Sequence, residues 1–386
     1  MPKLAHLLLY IFELFNILVV PMHKSVPSFS LYICGLLLLS LAGCATTEKG
    51  EPPELPVFPS PPDEPRFYYE RSFLGSVDVE IESEESVFQR VITGAVRLGT
   101  GMGKPFGVSV HQGRVFVSDT VKRTVLAFDV PQARFFEIGT ESPGELSKPM
   151  GLDVDLQGNL YVCDAALKQV LMYDRDGNYL RRFGEPEWFD RPAGLTVDPS
   201  GERVFVVDTG GVASKRHQVN VIDTKSGELL RTISTRGSAE GELNLPRDAT
   251  IAEDGNLYVV DGGNFRIQVF SQQGEFLRTF GAIGRRSGQF SRPKGIGADK
   301  DGNIYIADTA FGNFQIFDAQ GRLLLAVGLR SSTPGPATFM LPAGLAVDED
   351  GRIYMVDQYF RKVDVFRPVS LPDDQGWLVY KPETSQ

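Results

Sequence analysis

The feature that most constrains the fold of this chain is a pattern that recurs six times between residues 104 and 367. Each copy contains a Pro-x-Gly turn, with Asp248 in place of the glycine in the fourth copy, and several apolar runs. One run in each copy ends in an aspartate, at intervals of 44 to 53 residues. A repeat of this length cannot bury its apolar faces alone, so neighbouring copies must pack against one another. The six aspartates are Asp119, Asp164, Asp208, Asp261, Asp308 and Asp357.

The apolar runs are typical of β-strands. Each copy holds four runs of four to six residues, and Asp-Gly, Gln-Gly or Ser-Gly pairs separate many of them, which is typical of β-hairpins. The runs are apolar on both faces, so each sheet should be buried on both sides. Four-stranded antiparallel sheets repeated around an axis form a β-propeller. The sequence therefore predicts an all-β fold in which residues 104–367 form six blades of one ring.

A closed ring needs a fourth strand in its last blade, and none is clear after Phe366. Residues 66–74, upstream of the first copy, have the composition of a strand, and we predict that they complete the last blade. Residues 377–380 are the alternative. Residues 84–93 predict a short helix within the connection 66–103, and residues 368–386 are interpreted as a C-terminal tail.

The repeated motifs resemble those of the NHL repeat family. Residues 292–308 read RPKGIGADKDGNIYIAD, and residues 274–281 read GEFLRTFG. The resemblance covers about 260 residues and implies a six-bladed propeller of the NHL type. It says much less about function, because propellers host unrelated chemistries.

The amino-terminal region is typical of a signal peptide. Residues 31–42 form an apolar run preceded by His23 and Lys24, and a run of about twelve residues is too short to span a membrane. The sequence Leu-Ala-Gly-Cys at residues 41–44 resembles the bacterial lipoprotein signal, which implies cleavage before Cys44 and lipid on its thiol. We interpret residues 1–43 as the signal region. Met22 begins a complete signal sequence by itself and is the favoured start; the alternative is a further membrane segment before it.

Residues 44–65 predict a lipidated cysteine followed by a stalk. Residues 45–65 include seven prolines, which favour extended polyproline II over a packed core. At about 3.1 Å per residue the stalk would reach roughly 65 Å. Such an anchor predicts a location in the cell envelope, periplasmic or surface-facing, and the lack of Asp after Cys44 favours the outer membrane.

Charge and residue content disfavour several functions. The chain has 39 Lys and Arg against 49 Asp and Glu, a net charge of −10, which argues against nucleic-acid binding. The folded part has only His111 and His217, too few for the three-histidine zinc site of the amidating-lyase propellers that the repeat also resembles. Neither Gly-x-Ser-x-Gly nor His-Glu-x-x-His occurs. Cys163 lies in an apolar run and is interpreted as a core residue.

Loops of variable length emerge on one face of the predicted ring, opposite the Asp-Gly-Asn hairpins. Loops carry function when a rigid scaffold positions them, and Arg and aromatic residues are frequent interface anchors. The repeated aspartates are interpreted as turn caps. Arg266 occupies the repeat's own arginine position, which favours a structural role, with binding as the alternative. The predicted binding residues on the loop face are Trp188, Lys215, Arg216, His217, Arg266, Arg285, Arg286, Phe311, Tyr359 and Arg361.

The sequence therefore favours a non-catalytic binding or scaffold module, a monomeric propeller held at the membrane by lipid on Cys44. We expect its loop face to dock an envelope protein or a glycan, with no cofactor and no catalytic residue. The alternative is a metal-dependent enzyme in the central channel, because resemblance to lactonase-like propellers implies a divalent metal held there by carboxylates. A purely structural subunit of an envelope assembly is a second alternative.

Overall fold

The computed structural model describes residues 55–381, and six sheets in this part of the chain surround a common axis. Blades 1 to 5, numbered in chain order, are each built from consecutive strands, and all pairs within a blade are antiparallel. The innermost strand of every blade contacts the innermost strands of both neighbouring blades, including the last with the first. The predicted six-bladed propeller with four-stranded antiparallel blades is therefore confirmed.

The strands of the first three blades are given from the axis outwards. Blade 1 comprises Pro105–His111, Arg114–Asp119, Thr124–Asp129 and Arg134–Ile138. Blade 2 comprises Pro149–Val154, Leu160–Asp164, Gln169–Tyr173 and Tyr179–Phe183. Blade 3 comprises Pro192–Val197, Arg203–Asp208, Gln218–Asp223 and Leu229–Ile233.

The other three blades follow the same order. Blade 4 comprises Ala249–Ile251, Leu257–Asp261, Arg266–Phe270 and Phe276–Phe280. Blade 5 comprises Pro293–Ala298, Ile304–Asp308, Asn313–Phe317 and Leu323–Val327. Blade 6 comprises Pro342–Val347, Ile353–Asp357, Lys362–Pro368, Phe67–Phe73 and the short Val57–Phe58. A parallel pair, Leu329–Arg330 with Thr338–Phe339, lies between blades 5 and 6, and 3-10 turns occupy Ser76–Asp78 and Pro186–Trp188.

The middle strands of each blade are buried on both faces, which explains why their sequences are continuous apolar runs. Every residue of Thr124–Asp129 is buried, because the middle of a blade is covered by a neighbouring blade on each face. The outermost strand Leu323–Val327 instead alternates between half-buried and exposed side chains until Val327, which is buried. The core is therefore a set of apolar layers between adjacent blades.

The repeated aspartates cap the loops between strands. All six are fully buried. Asp308 accepts backbone N–H hydrogen bonds from Ser291 and Arg292, which lie just before the inner strand. It also accepts those of Ala310 and Phe311, which lie in the turn after Asp308 itself. The turn-capping interpretation is confirmed, because this carboxylate ties the two loops of its blade together.

Blade 6 joins the two ends of the propeller. Its strand Phe67–Phe73 is antiparallel to Lys362–Pro368, with Phe73 opposite Val363 and Phe67 opposite Pro368. The prediction that residues 66–74 close the ring is confirmed. The alternative, residues 377–380, is wrong, because these residues form no strand.

The Pro-rich segment ends on the propeller. Val57–Phe58 pairs with the closing strand, and the ring of Phe58 lies 5.7 Å from that of Phe366. Residues from Leu55 onward therefore belong to blade 6 and not to a free stalk. The predicted signal region 1–43, Cys44 and the remaining stalk residues lie outside the described residues.

The C-terminal tail is part of the packed structure as far as residue 381. Leu378 is buried in an apolar cluster that contains residues of blades 6 and 1. The backbone N–H of Lys381 donates to the carbonyl of Pro131 on blade 1, and that of Trp377 donates to Asp350 on blade 6. The tail therefore connects the last blade to the first.

The predicted helix is confirmed as α1, Glu84–Thr93. The Ser83 hydroxyl accepts the N–H of Ser86, and Gly94 ends the helix with a φ of 66°, a conformation that favours glycine. None of the residues of α1 is buried. Within residues 55–381, no helix is both long and apolar enough to cross a membrane.

Candidate functional site

One face of the propeller carries the loops that enter the inner strands and the turns that follow the repeated aspartates; we call it the loop face. All ten predicted binding residues lie in these loops and turns, or at the strand end beside them. They are spread around blades 2 to 6. The structure therefore places the predicted residues on one face without bringing all of them into one cluster.

Trp188 and Arg216 lie in neighbouring loops between blades 2 and 3. Arg216 forms an ion pair with Asp190 at 3.5 Å and donates to the carbonyl of Glu187. Trp188 is half-buried against the apolar cluster between these blades. These contacts hold the long loop of blade 3 against the loop from blade 2, and the neighbouring Lys215 is left exposed.

His217 and Arg266 are committed to internal contacts. His217 is fully buried: its Nε2 lies 3.1 Å from the carbonyl of Gly211, and its Nδ1 accepts the N–H of Leu245 at 3.2 Å. Arg266 pairs with Asp261 at 2.8 Å and is mostly buried. The expectation that His217 is available to a ligand is therefore wrong, because both ring nitrogens already bind backbone groups.

The other predicted residues remain at the surface. Arg285, Arg286, Tyr359 and Arg361 are exposed, and Phe311 is partly buried. These side chains are available for contact with a large partner.

A ring of basic residues at the channel mouth was not among the predicted site residues. Within the described part of the chain, none of its members takes part in an ion pair. The signal was in the sequence: five of the six copies have a basic residue directly before or after the proline of the Pro-x-Gly turn. We call the following six residues the basic ring: Lys104, Lys148, Arg191, Arg247, Arg292 and Lys294.

The channel on the axis holds a cavity of about 380 Å³, lined by inner strands of the blades. The inner strands approach one another at the glycines of the Pro-x-Gly turns: a Cβ atom on Gly151 would lie 2.7 Å from the Cα of Gly194. Only small residues fit at such a distance. Asp248 occupies the equivalent position in blade 4, and its carboxylate extends over Gly194. One carboxyl group thus stands in a constriction that is otherwise made of glycine.

Two ionisable groups in the channel, Asp248 and Lys294, have pKa values far from their ordinary range. Burial raises the pKa of Asp248 to about 8, although its carboxylate accepts backbone hydrogen bonds from Ala249 and Ile296. Burial, then the charges of Arg247 and Lys104, lower the pKa of Lys294 to about 8. Near neutral pH, Asp248 is therefore mainly protonated and Lys294 mainly charged.

Lys294 reaches across the channel from blade 5. Its Nζ donates to Oε1 of Gln358 at 3.0 Å and lies 4.7 Å from the centre of the Phe106 ring. Burial, followed by the charges of Arg191 and Arg292, lowers the pKa of Arg247. The mouth therefore concentrates positive charge on its blade 4 and blade 5 sides.

A second channel carboxylate, Asp153, is fully occupied by protein donors. It accepts the hydroxyls of Ser109 at 3.2 Å and Thr196 at 2.9 Å, and the N–H groups of Val154 and Val197. These bonds join blades 1, 2 and 3. Within residues 55–381, no three or more His, Cys, Asp and Glu side chains are grouped so that they could hold a metal ion.

Residues 243–270, in blade 4, match the family model of the NHL repeat. The chain carries an NHL repeat. NHL repeat-containing protein 3 of Mus musculus is 31% identical over 87 residues, 22% of this chain and 24% of that protein. A probable peptidyl-alpha-hydroxyglycine alpha-amidating lyase of Caenorhabditis elegans is 28% identical over 98 residues, 25% of this chain and 26% of that protein. The chain thus spans about a quarter of the length of the curated relatives that it matches.

Solved structures resemble this propeller at low sequence identity. A protein of unknown function from Bacteroides thetaiotaomicron has a TM-score of 0.56 and 16% identity, over 70% of this chain and 71% of that chain. A gluconolactonase from Xanthomonas campestris has a TM-score of 0.51 and 19% identity, over 69% of this chain and 86% of that chain. At these identities the likeness concerns the fold alone.

Proposed function

We propose that this NHL propeller is a non-catalytic binding module, anchored outside the cytoplasm by lipid on Cys44, that docks an acidic envelope protein on its loop face. The main support is the basic ring, six positive side chains without an ion pair among the described residues, in a chain whose net charge is −10. The basic ring creates a positive electrostatic potential on a molecule of negative net charge. Such a potential favours an acidic partner and speeds its association.

Helix α1 favours a protein over a glycan as the partner. The closing strand Phe67–Phe73 ends at the loop face, so the connection that carries α1 lies on that face as well. Phe88 and Ile92 on α1 are 66% and 67% exposed. Exposed apolar groups near a charged rim are typical of protein interaction surfaces, and a glycan offers them few apolar contacts.

The proposed anchor would hold the propeller near the membrane. Because residues from Leu55 onward pack on blade 6, a stalk would comprise residues 45–54. Ten residues span at most about 36 Å even when fully extended, roughly half of the reach predicted for the longer stalk. A docked protein would therefore also lie close to the membrane surface.

Photo-crosslinking in cells tests this proposal. A photoreactive residue would replace Phe88 or Arg191 on the loop face, or Lys225 on the opposite face as a control. We expect one protein, linked through acidic peptides, from the first two positions and not from the third. A glycan adduct, or the same product from Lys225, would contradict the proposal.

A matched pair of variants tests the role of the positive charges. Lys148→Gln, Arg191→Gln and Arg292→Gln together should abolish the crosslink formed from position 88. The control combines Lys225→Gln, Lys300→Gln and Arg322→Gln, which remove the same charge from hairpins of the opposite face. The metal-dependent enzyme stays an alternative prediction: a stoichiometric metal in the purified full chain would support it.

A further inference from the structure

We propose that the channel mouth is a binding site for a small organic carboxylate, held between Arg247 and Lys294 with Asp248 beneath it. The site goes beyond the proposed docking function, because it lies inside the cavity and needs no macromolecular partner. All three side chains line the cavity of about 380 Å³, which is within the size range of small-molecule sites.

The side chains of Arg247 and Lys294 line the cavity and have hydrogen-bond donors that no described protein group uses. Lys294 uses one donor on Gln358 and is held over Phe106, which leaves two N–H bonds for a ligand. Arg247 forms no side-chain hydrogen bond or ion pair with the residues that the structure describes. Its planar guanidinium matches a carboxylate in a two-point hydrogen bond. A carboxylate between these groups would satisfy both.

Asp248 fits this interpretation because a protonated carboxyl group donates a hydrogen bond. The other five blades have glycine at this position, so blade 4 alone supplies a polar side chain at the constriction. The charged groups around it are Asp153 and Lys294, and those around Lys294 are Arg247, Lys104, Asp248 and Asp357. As pH rises through about 8, Lys294 loses its charge and Asp248 gains one, so both changes disfavour an anion.

Titration calorimetry on the full chain in detergent tests the site with succinate as the probe. Succinamide is the matched neutral molecule, and inorganic phosphate distinguishes a carboxylate site from a general anion site. We expect saturable one-to-one binding of succinate at pH 7, no binding of succinamide, and at least tenfold weaker binding of succinate at pH 9.

Variants locate the binding. Arg247→Gln and Lys294→Gln should each weaken succinate binding at least tenfold, and Lys294→Arg should restore most of it. Asp248→Asn keeps a neutral donor and should bind succinate with a shallower pH dependence. Lys148 belongs to the basic ring but does not line the cavity. Lys148→Gln should therefore leave succinate binding unchanged while weakening partner docking.

Three results would overturn the proposal. They are the lack of saturable succinate binding in the folded protein, binding that survives both Arg247→Gln and Lys294→Gln, and phosphate binding tighter than that of succinate. Circular dichroism of each variant shows whether the propeller remains folded. Loss of docking in the Lys148→Gln variant with intact succinate binding would separate this site from the proposed function.

Discussion

The ion pair between Glu70 and Arg352 gives a sharp test of how the ring is closed. Glu70 lies on the closing strand from the amino-terminal side, and Arg352 precedes the second strand of blade 6. The Arg352 side chain is fully buried, and its Nε lies 2.8 Å from Oε2 of Glu70. Glu70→Ala would therefore leave a buried guanidinium without one of its partners.

The expected cost follows from the partners that remain. Removal of one member of a buried ion pair costs about 3–5 kcal/mol. Arg352 keeps Asp350 at 3.0 Å and the carbonyl of Gln375 at 2.9 Å, so we expect the lower end, about 3 kcal/mol. Glu70→Gln retains an acceptor oxygen and loses only the charge, so about 1.5 kcal/mol is expected.

Urea unfolding followed by the fluorescence of Trp377 measures these changes. Trp377 donates its backbone N–H to Asp350 in the same cluster, and Trp188→Phe leaves it as the only tryptophan. Glu82→Ala, which breaks the partly exposed pair with Arg90, is the control and should cost far less than Glu70→Ala. A Glu70→Ala effect below about 0.5 kcal/mol, or equal effects of Ala and Gln, would refute the reasoning.

Three further predictions concern single residues. Because the pKa of Asp248 is raised to about 8, the folded state holds a proton that the unfolded state releases near pH 4. The free energy of unfolding of the wild type, relative to that of Asp248→Asn, should therefore fall as pH rises from 4 to 8, by at most about 1.4 kcal/mol per pH unit. Above pH 8 the difference should stay constant, and urea unfolding measures it. Cys163 is fully buried and its thiol pKa is well above the ordinary value, so mass spectrometry should find its peptide unmodified by iodoacetamide until the protein unfolds. Cys44→Ser should abolish palmitate labelling and release the protein from the membrane fraction, whereas labelling that persists would place the lipid elsewhere.

The architecture could be predicted from the sequence because each blade is specified by a local pattern. Apolar runs, hairpin turns and a capping aspartate occur within one copy, and the missing fourth strand of the last copy pointed to residues 66–74. The tail was not predictable in this way. Leu378 is a single apolar residue without periodic neighbours, and its burial depends on a cluster that includes Val130 and Tyr354.

The candidate site was only partly predictable for a similar reason. His217 looked available because it lies in the inserted loop of the longest repeat copy, but its ring bonds to Gly211 and to Leu245, which is 28 residues away. Basic residues beside the prolines were visible in the sequence. These basic residues surround one opening only because the six inner strands converge on the axis. A local sequence pattern does not contain that information.

The closing strand also determines when the molecule can be completed. Ser72 and Asp364 are joined by a hydrogen bond although they are 292 residues apart, so the closing strand must wait for Lys362–Pro368 to be synthesised. Contacts of such long range carry a loop-closure cost and form slowly. During that interval Tyr69 and Phe73, which are buried in the finished ring, have no partner strand to cover them. Until blade 6 is complete, these apolar side chains therefore need protection from contacts with other molecules. Loss of either Phe67–Phe73 or Lys362–Pro368 leaves the same blade open.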